Sequence, residues 1–521
     1  MKTITLTLFL LLSFQCFSQD NMELKSVLPF SDFMNDIWGY QDTSGKEYAL
    51  CGLQSGVAVV DVSIPNNPLQ LHFIPGETSV WRDIKTWDKY AYVTNESGKG
   101  IQIIDLRFLP DSIAFKNWEG GLLKLRTAHN LYIDTSGTAF VFGSNIFGAG
   151  VVILDLSNSP KNPVYLGAYS DHYVHDGFAQ KDTVYTSEIF IGEFAVVDVS
   201  NKSNPIVIAR QQTPSRFTHN CWPSPNGRFL FTTDELPGAP VTAYDISDLS
   251  NIQKLDEYRS NPGDSVIPHN VHVLNDFLVV SYYTDGVKII DASNRDNLIE
   301  VGNYDTSPFS SGPGFDGCWG VYPYLPSGLI LASDIEEGLY VLDPNYIKAC
   351  YLRGVVSDTV SGINVPGVKV EIIGSSNTEL TSITGNYAIG IADSGLYDIR
   401  FSKKGCTTSI RQNVMLNNGQ TTILDLSLDC DVNTSIPELK NELIKVYPTL
   451  FSDHFRIEME DHGYNSVSEL QIHNSQGQIV MRRKINRQST TISGLKNLPN
   501  GIYIVQVENE GRKHFFKALK H

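Results

Sequence analysis

A chain of 521 residues is too long for one ordinary core, and two to four domains is the expectation. Apolar residues at 41% and aromatics at 11% suffice for sizeable cores, and no long stretch has a disordered composition. A formal charge of -17 argues against nucleic acid and against an anionic membrane surface as partners.

The chain opens with "MKTITLTLFLLLSFQCFSQ", one lysine followed by an apolar run too short to span a bilayer. It reads as a secretory signal peptide over residues 1–18, with cleavage before Gln19. No later segment is long and apolar enough to be a transmembrane helix, so the expected product is exported. Export places Cys51, Cys221, Cys318, Cys350, Cys406 and Cys430 where disulfides form. The spacing does not choose among their pairings, although Cys350 and Cys430 bracket one later segment that a staple would close.

From residue 22 to 347 one phrase recurs: "GVAVVDVS", "GIQIIDLR", "GVVILDLS", "FAVVDVS", "VTAYDIS", "GVKIIDAS" and "GLYVLDPN". Its aspartates are Asp61, Asp105, Asp155, Asp198, Asp245, Asp291 and Asp343, a period of 43 to 52 residues that points to propeller blades. The unit from Thr218 to Tyr258 holds four short β-rich runs separated by Pro, Gly, Asn and Asp turns, with no helical period. The runs are nearly continuous in apolar residues, as strands covered on both faces should be. Four strands in each of seven units predict an all-β, seven-bladed β-propeller. Each repeated aspartate then ends a third strand and accepts N–H groups of the following turn. The last unit lacks a fourth strand, which "MELKSVLPF" near the N-terminus can supply.

The phrase "VVDVS…NP" resembles the LVIVD repeat, and the stretch from Asp32 to Asp343 is similar to the choice-of-anchor B domain proteins. That resemblance implies an exported, surface-displayed propeller and carries no activity with it.

Four of the twelve histidines share one setting, "AHN", "VHD", "THN" and "PHN". Registering the blades on their first strands gives a column of Trp38, Arg82, His129, His175, His219, His269 and Trp319. The column beside it contains Asp83, Asn130, Asp176, Asn220 and Asn270. First strands line a propeller's channel, so the four imidazoles should form an arc around one mouth. The loops between second and third strands open on the same face and bring Glu96, Asn145, Glu188 and Glu235, with Asp234 and Asp334 one place earlier. Borderline nitrogen and hard oxygen donors together suit one divalent metal ion, with neighbouring Asn and Asp groups to orient them. The expected ligands of a metal or small polar molecule are His129, His175, His219, His269, Glu188 and Glu235. Should the site hydrolyse or eliminate, Glu188 or Glu235 would serve as the base. A third reading makes the histidines a structural ring in an adhesive protein. Trp222, Tyr282, Tyr283, Tyr322 and Tyr324 fall near the same registers and read as packing between blades.

Residues 351–430 change character. "GVVSD", "PGVKVEI", "TGNYAI" and "GLYDIRFSKKG" resemble the carboxypeptidase regulatory-like domain, which implies a small β-sandwich acting as a spacer. A linker over 431–443 leads to residues 444–521, where "VYPT", "IHNSQGQIV", "LPNGIYIV" and a Lys-rich end look like the type IX secretion C-terminal sorting domain. That likeness implies the secretion machinery as a partner and a destination outside the outer membrane, released or surface-attached. Arg512, Lys513, Lys517 and Lys520 suggest a basic tip for docking to the exporter. The extracellular ligand, whether glycan, peptide or surface protein, is not written in the sequence.

Overall fold

In each repeat the apolar phrase becomes the third strand of a four-stranded antiparallel meander, and the next strand doubles back through a turn begun by the aspartate. The computed structural model describes residues 19–430, 444–459, 468–474, 478–485, 489–509 and 512–520. The expected signal peptide and the 431–443 linker lie outside the described residues. Apart from two single-turn 3-10 segments, Gly121–Leu123 and Phe147–Ala149, the regular structure is all strand. The chain divides into two units, split after Cys430.

In the first unit, seven consecutive sheets form a β-propeller. Their first strands are Met34–Gln41, Ile84–Trp87, Asn130–Ile133, Asp176–Gln180, Thr218–Pro223, Val271–Leu274 and Cys318–Tyr322. Each packs against the next in order, blade six reaching blade seven through its second strand, Phe277–Ser281. The first strand of blade seven packs against that of blade one, which closes the ring. Continuous apolar runs make this possible because both faces of a middle strand are covered by neighbouring blades. Between blades one and two, for example, Leu50, Val57 and Val59 meet Ile84, Val93 and Ile104 in one dry layer. Each such side chain contributes about 1.5–3 kcal/mol of burial. Outer strands such as Leu69–Pro75 are half solvated.

Met22–Leu28 pairs antiparallel with Gly338–Pro344 as the fourth strand of blade seven, and Gln19–Asp20 continues onto blade six beside Ile299–Tyr304. A strand from the chain's beginning thus covers an edge that would otherwise offer unpaired backbone groups. Six repeat aspartates accept the N–H two residues on, at 2.8 to 3.3 Å, from Ser63, Arg107, Ser157, Ser200, Ser247 and Ser293. Asp343 departs from the pattern and pairs with Lys25 of the closing strand at 2.8 Å.

Cys350–Asp358 opens a sandwich of two sheets around Leu352, Val370, Ile399 and Phe401. It rests on blade six, where Arg353 grips Asp296 with two bonds (2.8 and 2.6 Å) and Asn297 donates to the Ile389 carbonyl. The disulfide is Cys406–Cys430, and Cys350 is a free, buried thiol, so the Cys350–Cys430 staple is not made. Cys350 packs inward among the apolar residues of the sandwich core, whereas Cys406 faces Cys430 across an isolated bridge between edges.

The second unit packs a sheet of Ile444–Tyr447, His454–Met459 and Ser489–Ser493 against a five-stranded sheet that ends in Arg512–Lys520. Phe451, Phe455, Leu470 and Val505 fill the space between them. Of the basic run, Lys517 is exposed but Lys520 is buried, which narrows the expected tip because strand alternation sends Lys520 inward with Ala518.

Candidate functional site

The seven first strands line the channel in three stacked layers, and strand geometry sets which residue enters each. Going inward along a strand, residues two apart share a face. The middle layer is Asp36, Asp83, Asn130, Asp176, Asn220, Asn270 and Gly320. The layer two residues further in is Trp38, Lys85, Tyr132, Phe178, Trp222, His272 and Tyr322. The alignment is fixed by bonds between neighbouring blades: Asp36 Oδ2 accepts the Ile84 N–H at 2.8 Å just as Asn220 Oδ1 accepts that of Val271 at 3.1 Å.

The inner layer is an aromatic plug. Tyr132, Phe178, Trp222 and His272 stack around the axis with centroids 4.2 to 4.6 Å apart between successive rings, and Tyr324 joins them. Trp38 belongs here, 4.8 Å from Tyr322 and under the Lys85 ammonium, and not at the mouth. The register of blade one slips between Met34 and Ile37, so Asn35 takes the place that the sequence column gave to Trp38.

At the mouth the four histidines do come together. Their ring centroids follow one another at 3.9 Å (His129 to His175), 4.5 Å (His175 to His219) and 4.4 Å (His219 to His269), with Trp319 4.8 Å beyond. Bulges just before Asn220 and Gly320 turn His219 and Trp319 toward the axis. Around them stand Trp81, 6.4 Å from His129, and Tyr173, 6.0 Å from His175. Trp81, adjacent to the expected Arg82, supplies the exposed aromatic edge in blade two. Arg82 is buried and commits its guanidinium to the carbonyls of Leu53 and Glu77, which anchors a loop.

The carboxylates divide by one residue of register. Glu96 and Glu235 face the imidazoles: Glu96 meets His129 Nδ1 at 2.7 Å, and Glu235 lies 3.6 Å from His219 Nε2 and 3.9 Å from His269 Nε2. Glu188 does not join them. It aligns with Asp234 and Asp334, one place earlier, and its fully buried carboxylate is held by Arg210 and by the hydroxyls of Tyr169 (2.6 Å) and Thr186 (3.2 Å). Neither a ligand role nor a base role is open to it there. Asp234 likewise accepts from Thr213, Ser215 and Phe217, and Asp334 from Ser307, Glu336 and Glu337. Asn145 ties down its own loop through the N–H groups of Arg126 and Thr127. Tyr283 occupies in blade six the position that Glu235 holds in blade five, and its hydroxyl donates to Glu235 Oε1 at 2.6 Å. Correct strand pairing of "VSYY" beneath "PHN" was the signal that would have found it.

Hydrogen bonds fix the state of the imidazoles. His219 Nδ1 donates to the His269 carbonyl at 3.2 Å, and His269 Nδ1 donates to that of Trp319. A carbonyl only accepts, so each Nδ1 carries a proton and each Nε2 is turned toward Glu235. Burial holds His175 and His269 well below the ordinary imidazole range, reinforced by the neighbouring rings, so both are neutral at pH 7. Ligand atoms of His175, His219 and Glu235 all lie within 4.8 Å of one another. Within that set, His219 is held by a backbone carbonyl, His175 by the Tyr173 hydroxyl at 3.2 Å and Glu235 by the Tyr283 hydroxyl, so nitrogen and oxygen donors stand together with their orientations fixed.

The family model for the LVIVD repeat matches residues 189–213 and 268–306, that for the carboxypeptidase regulatory-like domain residues 351–429, and that for the secretion system C-terminal sorting domain residues 445–520. No curated protein matches the chain. Among solved structures it is similar to a crystal structure of the Cps50 (Swd1) beta-propeller domain from Myceliophteria thermophila, at 10% identity and a TM-score of 0.44, covering 62% of this chain and 98% of that one. With a type IX sorting domain behind the propeller, the chain is an exported propeller protein of surface or extracellular location that the secretion machinery handles. Among the described residues no helix is long and apolar enough to cross a membrane.

Proposed function

We propose that this propeller is an extracellular binding scaffold whose mouth holds one divalent metal ion of the borderline class, ligated by His175, His219 and Glu235 with His269 alongside. One observation carries this reading. The Nε2 atoms of His219 and His269 lie 3.6 and 3.9 Å from the Glu235 carboxylate, each ring turned so that its Nδ1 is already bonded to a backbone carbonyl. Three acceptors held together in a largely buried place call for a cation. Bound there, the ion would act as a Lewis acid toward a polar group entering the mouth. The protein's own part is to hold the ligands: backbone carbonyls set the imidazole tautomers, and Tyr283 steadies Glu235. His129, paired with Glu96, stands at the outer edge of the arc and meets whatever enters.

The test is elemental analysis of the purified chain, wild type against His175→Ala/His219→Ala. One equivalent of metal in the wild type and none in the variant supports the reading. Absence of metal from both, after exposure to zinc, manganese and copper salts, would leave the histidines a structural ring.

A further inference from the structure

Below the imidazoles lies a narrow well, to whose lining His129, His219 and His269 contribute. Asp36, Asp83, Asn130 and Asn270 form its wall, with the indoles of Trp81 and Trp319 at its entrance, and it has room for little more than one small group. The wall is built of acceptors. The cations nearby are committed: Arg82 to backbone carbonyls, and Lys85 to Asp83 at 2.6 Å and Asp36 at 3.7 Å. The Asn220 amide is committed too, donating to Asp176 at 2.7 Å.

Two acceptors remain without any partner. Asn130 Oδ1 and Asn270 Oδ1 are buried on residues only 8% and 9% exposed, and neither receives a hydrogen bond. An unmatched buried acceptor is costly, and a fold that carries two on residues lining one well has a donor-rich occupant in prospect. Charge points the same way. Asp36 and Asp83 share the single ammonium of Lys85, so two carboxyl groups stand against one cation.

We propose that this well binds a primary alkylammonium group, with Asn130 and Asn270 accepting its N–H bonds, Asp36 and Asp83 supplying the countercharge, and Trp81 and Trp319 flanking its entry. Three N–H donors on one atom match the two carboxamide oxygens and a carboxylate, and indole faces attract a cation through the ring quadrupole. A quaternary ammonium has the charge but no donor and more bulk, so the well should reject it. The inference stands apart from the metal reading, since none of the four wall residues is among the proposed ligands.

The test uses the full chain, stripped of metal with a chelator and dialysed, in calorimetric titrations with ethylammonium chloride and tetramethylammonium chloride at equal ionic strength. Saturable one-to-one binding of ethylammonium is expected, on the order of millimolar for so small a ligand, with none of tetramethylammonium. In Asn130→Leu/Asn270→Leu, with circular dichroism and melting confirming the fold, ethylammonium affinity should fall about tenfold or more. Equal heats for the two salts, or wild-type affinity in the double variant, overturns the proposal. Should that variant fail to fold, the comparison of the two salts on the wild type decides alone. Glu235→Gln, whose side chain does not line the well, should weaken metal binding yet keep ethylammonium binding, so failure of one reading is told apart from failure of the other.

Discussion

Two residues recur through this propeller, and the wheel treats them in opposite ways. The aspartate that closes the third strand mainly serves its own blade: Asp155 and Asp198 each cap the turn two residues on, and Asp105 adds to its cap one ion pair with Lys161 of the next blade. The histidine that opens the first strand serves the assembly, because first strands meet at the hub. His175 and His219, 44 positions apart in the chain, stand 4.5 Å apart in space. Repetition in a sequence is therefore neutral as to role. Distance from the axis decides whether repeated residues remain separate local caps or become one shared site.

Substitutions can break this contrast. The largest effect should come from a carboxylate that lies near the mouth in sequence but belongs to the scaffold. Glu188→Ala leaves Arg210 beside Tyr169 without its buried partner, and urea denaturation should show a loss of about 3 kcal/mol with metal content unchanged. Full metal loss at wild-type stability would instead put Glu188 in the site. Asp155→Ala should cost about 1 kcal/mol, again with metal retained, because only local, exposed bonds to the Ser157 N–H and hydroxyl and to the Asn158 amide vanish. A smaller effect is set by pH. Arg228 beside Asp245 lowers its carboxyl from 3.8 to about 2, so the folded state holds the proton less readily than the unfolded chain. The stability this pair contributes is complete above about pH 4 and fades as pH falls toward 2. Arg228 is mostly exposed, and screening by solvent keeps the contribution small. The advantage of wild type over Asp245→Asn, followed by urea titration at pH 5 and pH 2.5, should disappear at the lower value. The smallest change in stability belongs to Glu235→Gln, which keeps the shape of the side chain. The metal-free protein should melt within a degree or two of wild type, while equilibrium dialysis shows at least tenfold weaker metal binding.

Much of the scaffold was legible because it depends on local pattern. The apolar phrase with a period near 47 residues, the turn residues between runs and the spare N-terminal strand all act through contacts a few residues long or through simple edge pairing. The arc of four histidines was legible for the same reason, since "HN" and "HD" mark one register in four blades. What failed was register between blades. Blades one, five and seven each carry a bulge at the head of the first strand, yet in blade one Asn35 holds the mouth position and Trp38 lies three residues further in, at the plug. A one-residue difference at the end of the second strand turns Glu188 toward Arg210 and Glu235 toward His219.

The sequence by itself determined which residue types recur and at what period, and therefore the wheel, its export address and the four imidazoles at its hub. Only the tertiary structure decided which carboxylates face them, which indole stands at the rim, and which cysteines are joined. The reason is geometric. A strand presents alternate residues to opposite faces, so one bulge exchanges inside for outside, and no local pattern in the chain announces where a bulge will fall.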